Sequence, residues 1–192
     1  NLQKGIPPVH EPKLNETINK HLNKNLYFTF KKEDVCKDKD YIFITFDLPV
    51  NSKDEVSTQL MDRAYKMILK FFSSKSIIVI SSQVPLGTCR KLVDLVKKRL
   101  GKKIKVIYFP ENLRLGNAFD SFLKADRMIL GSDEEETNQK FIKDFSCIDC
   151  PKLIMDLESA EMVKHALNGY LATCISYSSE ISDLCELLGA NM

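Results

Sequence analysis

The sequence predicts an α/β fold, a doubly wound and mostly parallel sheet followed by one long helix. Three observations carry this. Strand-sized apolar runs alternate with stretches whose apolar residues recur every three or four positions. Several runs, such as SIIVIS (76–81) and IKVIYF (104–109), are nearly continuous, which suits strands covered on both faces. After Asp156 the strand-like runs stop, and 159–188 contains no proline and a single glycine, Gly169.

The expected strands are NLYFTF (25–30), YIFITF (41–46), 76–81, 104–109, RMILG (127–131) and KLIMD (152–156). Between them, Asp54 to Phe72 carries Leu60, Met61, Ala64, Met67, Ile68, Phe71 and Phe72 on one helical stripe. Leu92, Val93, Leu95, Val96 and Leu100 mark another helix. Its Lys97, Lys98 and Arg99 suit the negative end of a helix dipole. Asp133 to Phe145 opens with three glutamates, which suit a helix N-terminus for the same reason. Ser159 to Leu188 reads as one helix of roughly eight turns, with Gly189 as its C-cap. A helix so long and apolar needs a partner, either another domain or its own copy in a dimer.

At 192 residues the chain has room for one large domain, or one domain and part of another. Its 28 Lys and Arg nearly balance 26 Asp and Glu, and a net charge of +2 gives no electrostatic footprint for nucleic acid. The longest apolar runs are strand-sized, so no membrane span is expected. The opening NLQKGIPPVHEP lacks the apolar core of a signal peptide. The six cysteines are scattered rather than spaced as a disulfide framework, and are read as cytosolic thiols. Cys147 and Cys150 form a lone CxxC, weak as a zinc or redox motif, and His10 and His21 lack metal-ligand spacing; no metal is expected.

Four places hold candidate chemistry. FDLPV (46–50) follows a strand and is either a nucleotide-approaching loop or an ordinary turn. SSQVPLGTCRKL (81–92) ends a strand in polar residues and turns into a helix. The N–H groups at that helix start face a phosphate or carboxylate, or else the segment is a plain capped αβ turn. Glu111 stands where a strand stops, after Pro110, at the end of the sheet where open α/β folds bind ligands. It is a candidate general base, or else a solvated loop acid. Lys164 and Asn168, four apart, share one helix face and make a donor pair suited to a developing oxyanion, or a snorkelling lysine beside a surface amide. His165 points about 100° away from Lys164 and is not recruited.

Taken together, these stretches resemble the UDP-glucose/GDP-mannose dehydrogenase family, the NAD-dependent nucleotide-sugar 6-dehydrogenases. PPVHEPKL resembles the family's P-x-Y-E-P-G-L, and KNLYFT the start of its third strand. FDLPV falls where the family has a G-T-P loop, and SQVPLGT resembles S-T-V-P-x-G-T. FPENLRLGNA with ADRMILG resembles N-P-E-F-L-x-E-G-x-A followed by P-D-R-I-V-I-G. The segment from Asp156 to the last residue resembles the family's central helix nearly throughout.

The resemblance implies oxidation of a sugar C6 alcohol, through an aldehyde and a cysteine-linked thioester, to a carboxylate, with two NAD+ reduced. By position, Glu111 matches the family's catalytic glutamate, linked to general-base work and thioester hydrolysis. Lys164 and Asn168 match its oxyanion-stabilising pair. Gln83 stands where the family has a water-holding threonine. Substrate contacts fall on Asn112, Leu113, Arg114 and Leu115. Cofactor contacts fall on Phe46, Asp47, Pro49, Ser82 and Glu111. The implied fold is the remainder of an N-terminal NAD-binding Rossmann-like domain over 1–156, incomplete in its sheet, with 157–192 opening the central dimerisation domain. A UDP-sugar substrate, a homodimer through the long helix, a cytoplasmic location and a part in polysaccharide precursor synthesis are implied as well.

The sequence departs from the family at three points. Leu115 replaces a second acid, Gln83 replaces the threonine, and Asp47-Leu48-Pro49 replaces G-T-P. These point to a UDP-sugar other than UDP-glucose, or to a divergent subfamily. The G-x-G-x-x-G phosphate cradle and the G-F-G-G-x-C nucleophile segment have no match in the chain. The expectation is an internal piece of a longer dehydrogenase, inactive alone, with a sheet edge and apolar surface left exposed. Two alternatives are an enzyme of the wider β-hydroxyacid and 6-phosphogluconate dehydrogenase group, which shares Lys-x-x-x-Asn on a long helix, and a non-catalytic nucleotide-binding or dimerisation module.

Overall fold

The computed structural model describes every residue except Asp47, Asp54, Glu55, Phe72, Ser74, Asn112 and Met192. Five strands lie in the order of the chain: β1 (Tyr41–Ile44), β2 (Ile77–Ile80), β3 (Lys105–Tyr108), β4 (Met128–Gly131) and β5 (Lys152–Met155). β1, β2 and β3 pair in parallel, with Ile42, Ile78 and Val106 in one row. β4 and β5 also run parallel to each other. A single antiparallel pair, Tyr108 with Gly131, joins the two groups. The helices are α1 (Leu14–His21), α2 (Lys32–Cys36), α3 (Gln59–Phe71), α4 (Thr88–Leu100), α5 (Ala118–Leu123), α6 (Glu135–Asp144) and α7 (Leu157–Leu188).

The central strands have no polar face because both faces are covered. Ile42, Ile44, Ile78, Ile80, Val106 and Tyr108 pack with Met61, Ala64 and Ile68 of α3, Leu92 and Val96 of α4, and Leu157 and Ala160 of α7. Ile77, Val79, Ile107, Phe109, Met128 and Leu130 pack on the other face with Phe141 of α6 and Ile148. Burying each such aliphatic side chain stabilises the fold by about 1.5–3 kcal/mol. Continuous apolar runs at 77–80 and 106–109 are therefore what this layered architecture demands.

The structure corrects the expected strand at 25–30. Leu26 makes one bridge with Leu22, residues 27–30 are irregular, and Tyr27 and Phe30 are exposed. Its aromatic and β-branched residues suit a strand only when a neighbour pairs with them, and among the described residues none does. β5 also differs from a doubly covered strand. It lies at one edge of the sheet, and Leu153 and Ile154 on its two faces are 44% and 40% exposed. The opposite edge is β1, where Phe43 is exposed while Ile42 and Ile44 are buried.

α7 is 32 residues long, about 48 Å at 1.5 Å per residue. Asp156 caps it, accepting from the Ser159 N–H at 2.7 Å and from the Ser159 hydroxyl at 2.8 Å. Gly189 closes it in the left-handed conformation, φ 68°. Only its first turns are buried, at Leu157, Ala160 and Glu161. Gly131 lets β4 come close to that start: a Cβ there would stand 2.5 Å from Ala160 Cβ and 3.1 Å from the Asp156 carbonyl oxygen. Arg90 of α4 adds a clamp, donating to both Glu158 oxygens at 2.8 and 2.9 Å and pairing with Asp133. The apolar stripe foreseen beyond Gly169 is mostly exposed, with Ile175 at 70% and Leu187 at 83%.

Candidate active site

The parallel strands β1, β2 and β3 end on the same side of the sheet, so the loops that follow them gather at one mouth. β2 is followed by Gln83, Val84 and Pro85 and the turn into α4. β3 is followed by Phe109, Pro110 and Glu111. α7 crosses this mouth with its second and third turns.

Three side chains of α7 engage the loops in register. Lys164 Nζ donates to the Glu111 backbone carbonyl at 3.1 Å. Asn168 Nδ2 donates to Gln83 Oε1 at 2.9 Å. His165 Nε2 lies 2.7 Å from the Val84 carbonyl oxygen; a carbonyl only accepts, so this ring nitrogen donates. The structure brings Glu111, Lys164, Asn168 and Gln83 together through the first two of these bonds. Sequence reasoning set His165 aside, yet the ring reaches the same turn. The angle of about 100° from Lys164 separates the two side chains, but α4 and β3 flank the helix and both sides find a partner.

Burial lowers the pKa of Lys164 below the ordinary lysine value, and the negative charge of Glu111 opposes that shift in part. A half-buried ammonium beside a carboxylate is a device for stabilising negative charge that develops nearby.

One rung below, Glu161 is fully buried. Its carboxylate accepts the Gly87 N–H at 2.5 Å and the Cys89 N–H at 2.8 Å. The N-terminus of α4, for which the sequence leaves open a phosphate or carboxylate site or a plain capped turn, thus holds a carboxylate of its own chain. Burial and the Glu161 charge together push the Cys89 thiol well above its usual range. Sequence reasoning missed Glu161, because a glutamate in the first turns of a helix looks like any other dipole-facing acid.

The remaining expected site residues that are described lie on the loops after β1, β2 and β3. Leu113, Arg114 and Leu115 are exposed, with Leu115 at 82%. Asn112 lies outside the described residues, as does Asp47. Phe46 is half-buried against the core, and Pro49 is exposed, its carbonyl accepting the Ser57 N–H at 2.8 Å. Ser82 is turned inward, 3% exposed, with its hydroxyl donating to the Ile44 carbonyl at 3.2 Å. Between the post-β1 loop and the post-β2 turn opens a pocket of about 350 Å³, lined by Leu48, Val50, Val56, Gln83, Val84, Pro85 and His165. Its walls are apolar, with an amide and an imidazole at the rim, a lining that fits a flat ring carrying a polar edge.

A second acid, in the PPVHEPKL stretch, also supports the mouth. Glu11 accepts the Gly116 and Ala118 N–H groups, both at 2.7 Å, and so caps α5 from the far end of the sequence. All six cysteines are free thiols. Among the described residues no three His, Cys, Asp or Glu gather as a metal site, and no helix is long and apolar enough to cross a membrane.

The model of the UDP-glucose/GDP-mannose dehydrogenase family, NAD binding domain, matches residues 1–147, and that of the same family's central domain matches 158–192. UDP-glucose 6-dehydrogenases of Rickettsia conorii and Bacillus subtilis are 33% and 34% identical over the whole chain, which spans 44% of each of them. The solved UDP-glucose dehydrogenase of Pyrobaculum islandicum superposes with a TM-score of 0.89 at 30% identity, covering 99% of this chain and 45% of that one. A GDP-mannose dehydrogenase of Pseudomonas aeruginosa shares the fold at a TM-score of 0.91 and 22% identity, over 99% of this chain and 46% of its own.

Proposed function

The chain belongs to the UDP-glucose/GDP-mannose dehydrogenase family, whose cofactor is NAD, and on that premise we propose that it carries the base and oxyanion half of a nucleotide-sugar 6-dehydrogenase active site. Residues 1–156 are the NAD-binding side in this account, and 157–192 open the central domain. The whole protein would oxidise the C6 alcohol of a UDP-sugar to a uronic acid in the cytoplasm, for polysaccharide precursor synthesis. The observation that carries the proposal is the convergence of Lys164 and Asn168 of α7 on the Glu111 and Gln83 loops.

Each group has a task that follows from its chemistry. Bound NAD would supply the acceptor for the hydride from C6. The Glu111 carboxylate would take the proton of the C6 hydroxyl and, once a second hydride has left and the carbon is held as the thioester of the family's cysteine, direct water at that carbon with the thiol as leaving group. Lys164 faces the oxygen on which negative charge grows, its ammonium partly stripped of water and so worth more per contact. Asn168 offers an amide donor to the same oxygen, with its orientation fixed by Gln83. Leu48, Val50, Val56 and the Gln83 side chain provide the walls for the nicotinamide. Phe46, Pro49 and the backbone of Ser82 flank that wall, and the family resemblance assigns Asp47 to the same cofactor. Leu113, Arg114 and Leu115 line the sugar side, where the family resemblance also assigns Asn112, and an apolar Leu115 at the position of a family acid favours a sugar other than glucose.

The family match favours this account over the wider β-hydroxyacid dehydrogenase group and over a non-catalytic module. The test is NADH formation by the whole protein against a panel of UDP-sugars, with two NADH expected per sugar. Absence of turnover with every UDP- and GDP-sugar would refute it.

A further inference from the structure

We propose that Glu161 is a positioning residue: its carboxylate fixes the turn at 87–89 against α7 and thereby sets the Gln83–Asn168 pair. The proposal rests on the active-site account given above. Glu161, His165 and Asn168 occupy one stripe of α7 at i, i+4 and i+7, with Lys164 beside it. They meet the segment 83–89 as three rungs: Asn168 on Gln83, His165 on Val84, Glu161 on Gly87 and Cys89.

The rung at 161 differs in kind from the others. A fully buried carboxylate is expensive unless every lone pair finds a donor. Here its two oxygens each take one backbone N–H at the positive end of α4. Tyr65, Cys89 and Tyr108, all buried, surround it. An apolar side chain would fill the same volume but would leave two backbone donors unpaired. Backbone bonds also fix direction: Gly87 sits at φ 81°, and anchoring its N–H holds the whole turn that presents Gln83. With both oxygens occupied and no exposure to solvent, Glu161 is not itself a proton-transfer group.

The test compares Glu161→Gln and Glu161→Asp with the wild-type whole protein, at a temperature where circular dichroism shows all three folded. A glutamine keeps one acceptor and turns its amide NH2, a donor, toward the other N–H. The expected result is a fall in kcat of about tenfold to a hundredfold, with KM for sugar and NAD held within about threefold. Faster amide exchange across 83–89 should accompany it, with aspartate recovering part of both. A variant that melts earlier but keeps full kcat and unchanged exchange would overturn the proposal. If the wild-type protein oxidises no nucleotide sugar, the active-site account fails, and amide exchange still decides here: unchanged protection of Gly87 and Cys89 in Glu161→Gln overturns the anchoring, while loss that spreads to Gln83 upholds it.

Discussion

Lys164 shows how one residue's surroundings set its chemistry. Its stem lies along α7, its ammonium reaches the Glu111 carbonyl, and burial disfavours its charged form. If the charged form is the working one, kcat/KM should fall on the alkaline side at a pH below the ordinary lysine value of about 10.4. The sign follows from the cause: desolvation lowers the pKa, so the proton is lost earlier than in water. Lys164→Arg, which stays charged throughout, should lose that alkaline limb whatever its rate. A limb that stays in place would assign it to another group. Lys164 and Asn168 were legible in the sequence because two polar residues four apart stand out on an apolar helix. Glu161 and Glu11 were not, since their partners lie 72 to 107 residues away and only the folded chain brings them in.

At the scale of elements, periodicity found β1 to β5 and the four longer helices α3, α4, α6 and α7 to within a few residues. It failed where tertiary contacts decide. The run at 25–30 has strand composition without a strand to pair with, whereas the polar α1 carries one buried side chain, Ile18, and gave too thin a stripe to notice. The junction of β4 with α7 depends on a missing side chain. Gly131→Ala would drive a methyl into Ala160 and the Asp156 carbonyl, a clash expected to cost about 1–3 kcal/mol. The melting temperature should drop, and kcat with it, because α7 carries Lys164 away from Glu111. Unchanged melting would mean that the junction yields freely.

For the whole molecule, the sheet and its two cores explain why the chain folds, and α7 shows what else it needs. Tyr170, Leu171, Ile175 and Tyr177 leave a long apolar surface exposed, larger in kind than the scattered apolar residues of an ordinary surface. A second copy through α7 would cover it, so light scattering on the whole protein should give a dimer, and Ile175→Glu should weaken it; a monomer with this helix intact would contradict that assembly. The most direct measurement for the account as a whole is NADH formation from UDP-sugars by the whole protein and by its Lys164→Ala variant, both shown to be folded. Loss of one oxyanion donor should lower kcat by about a hundredfold while the fold persists. A variant that turns over as fast as the wild type would remove Lys164, and with it the meeting of α7 and Glu111, from the chemistry.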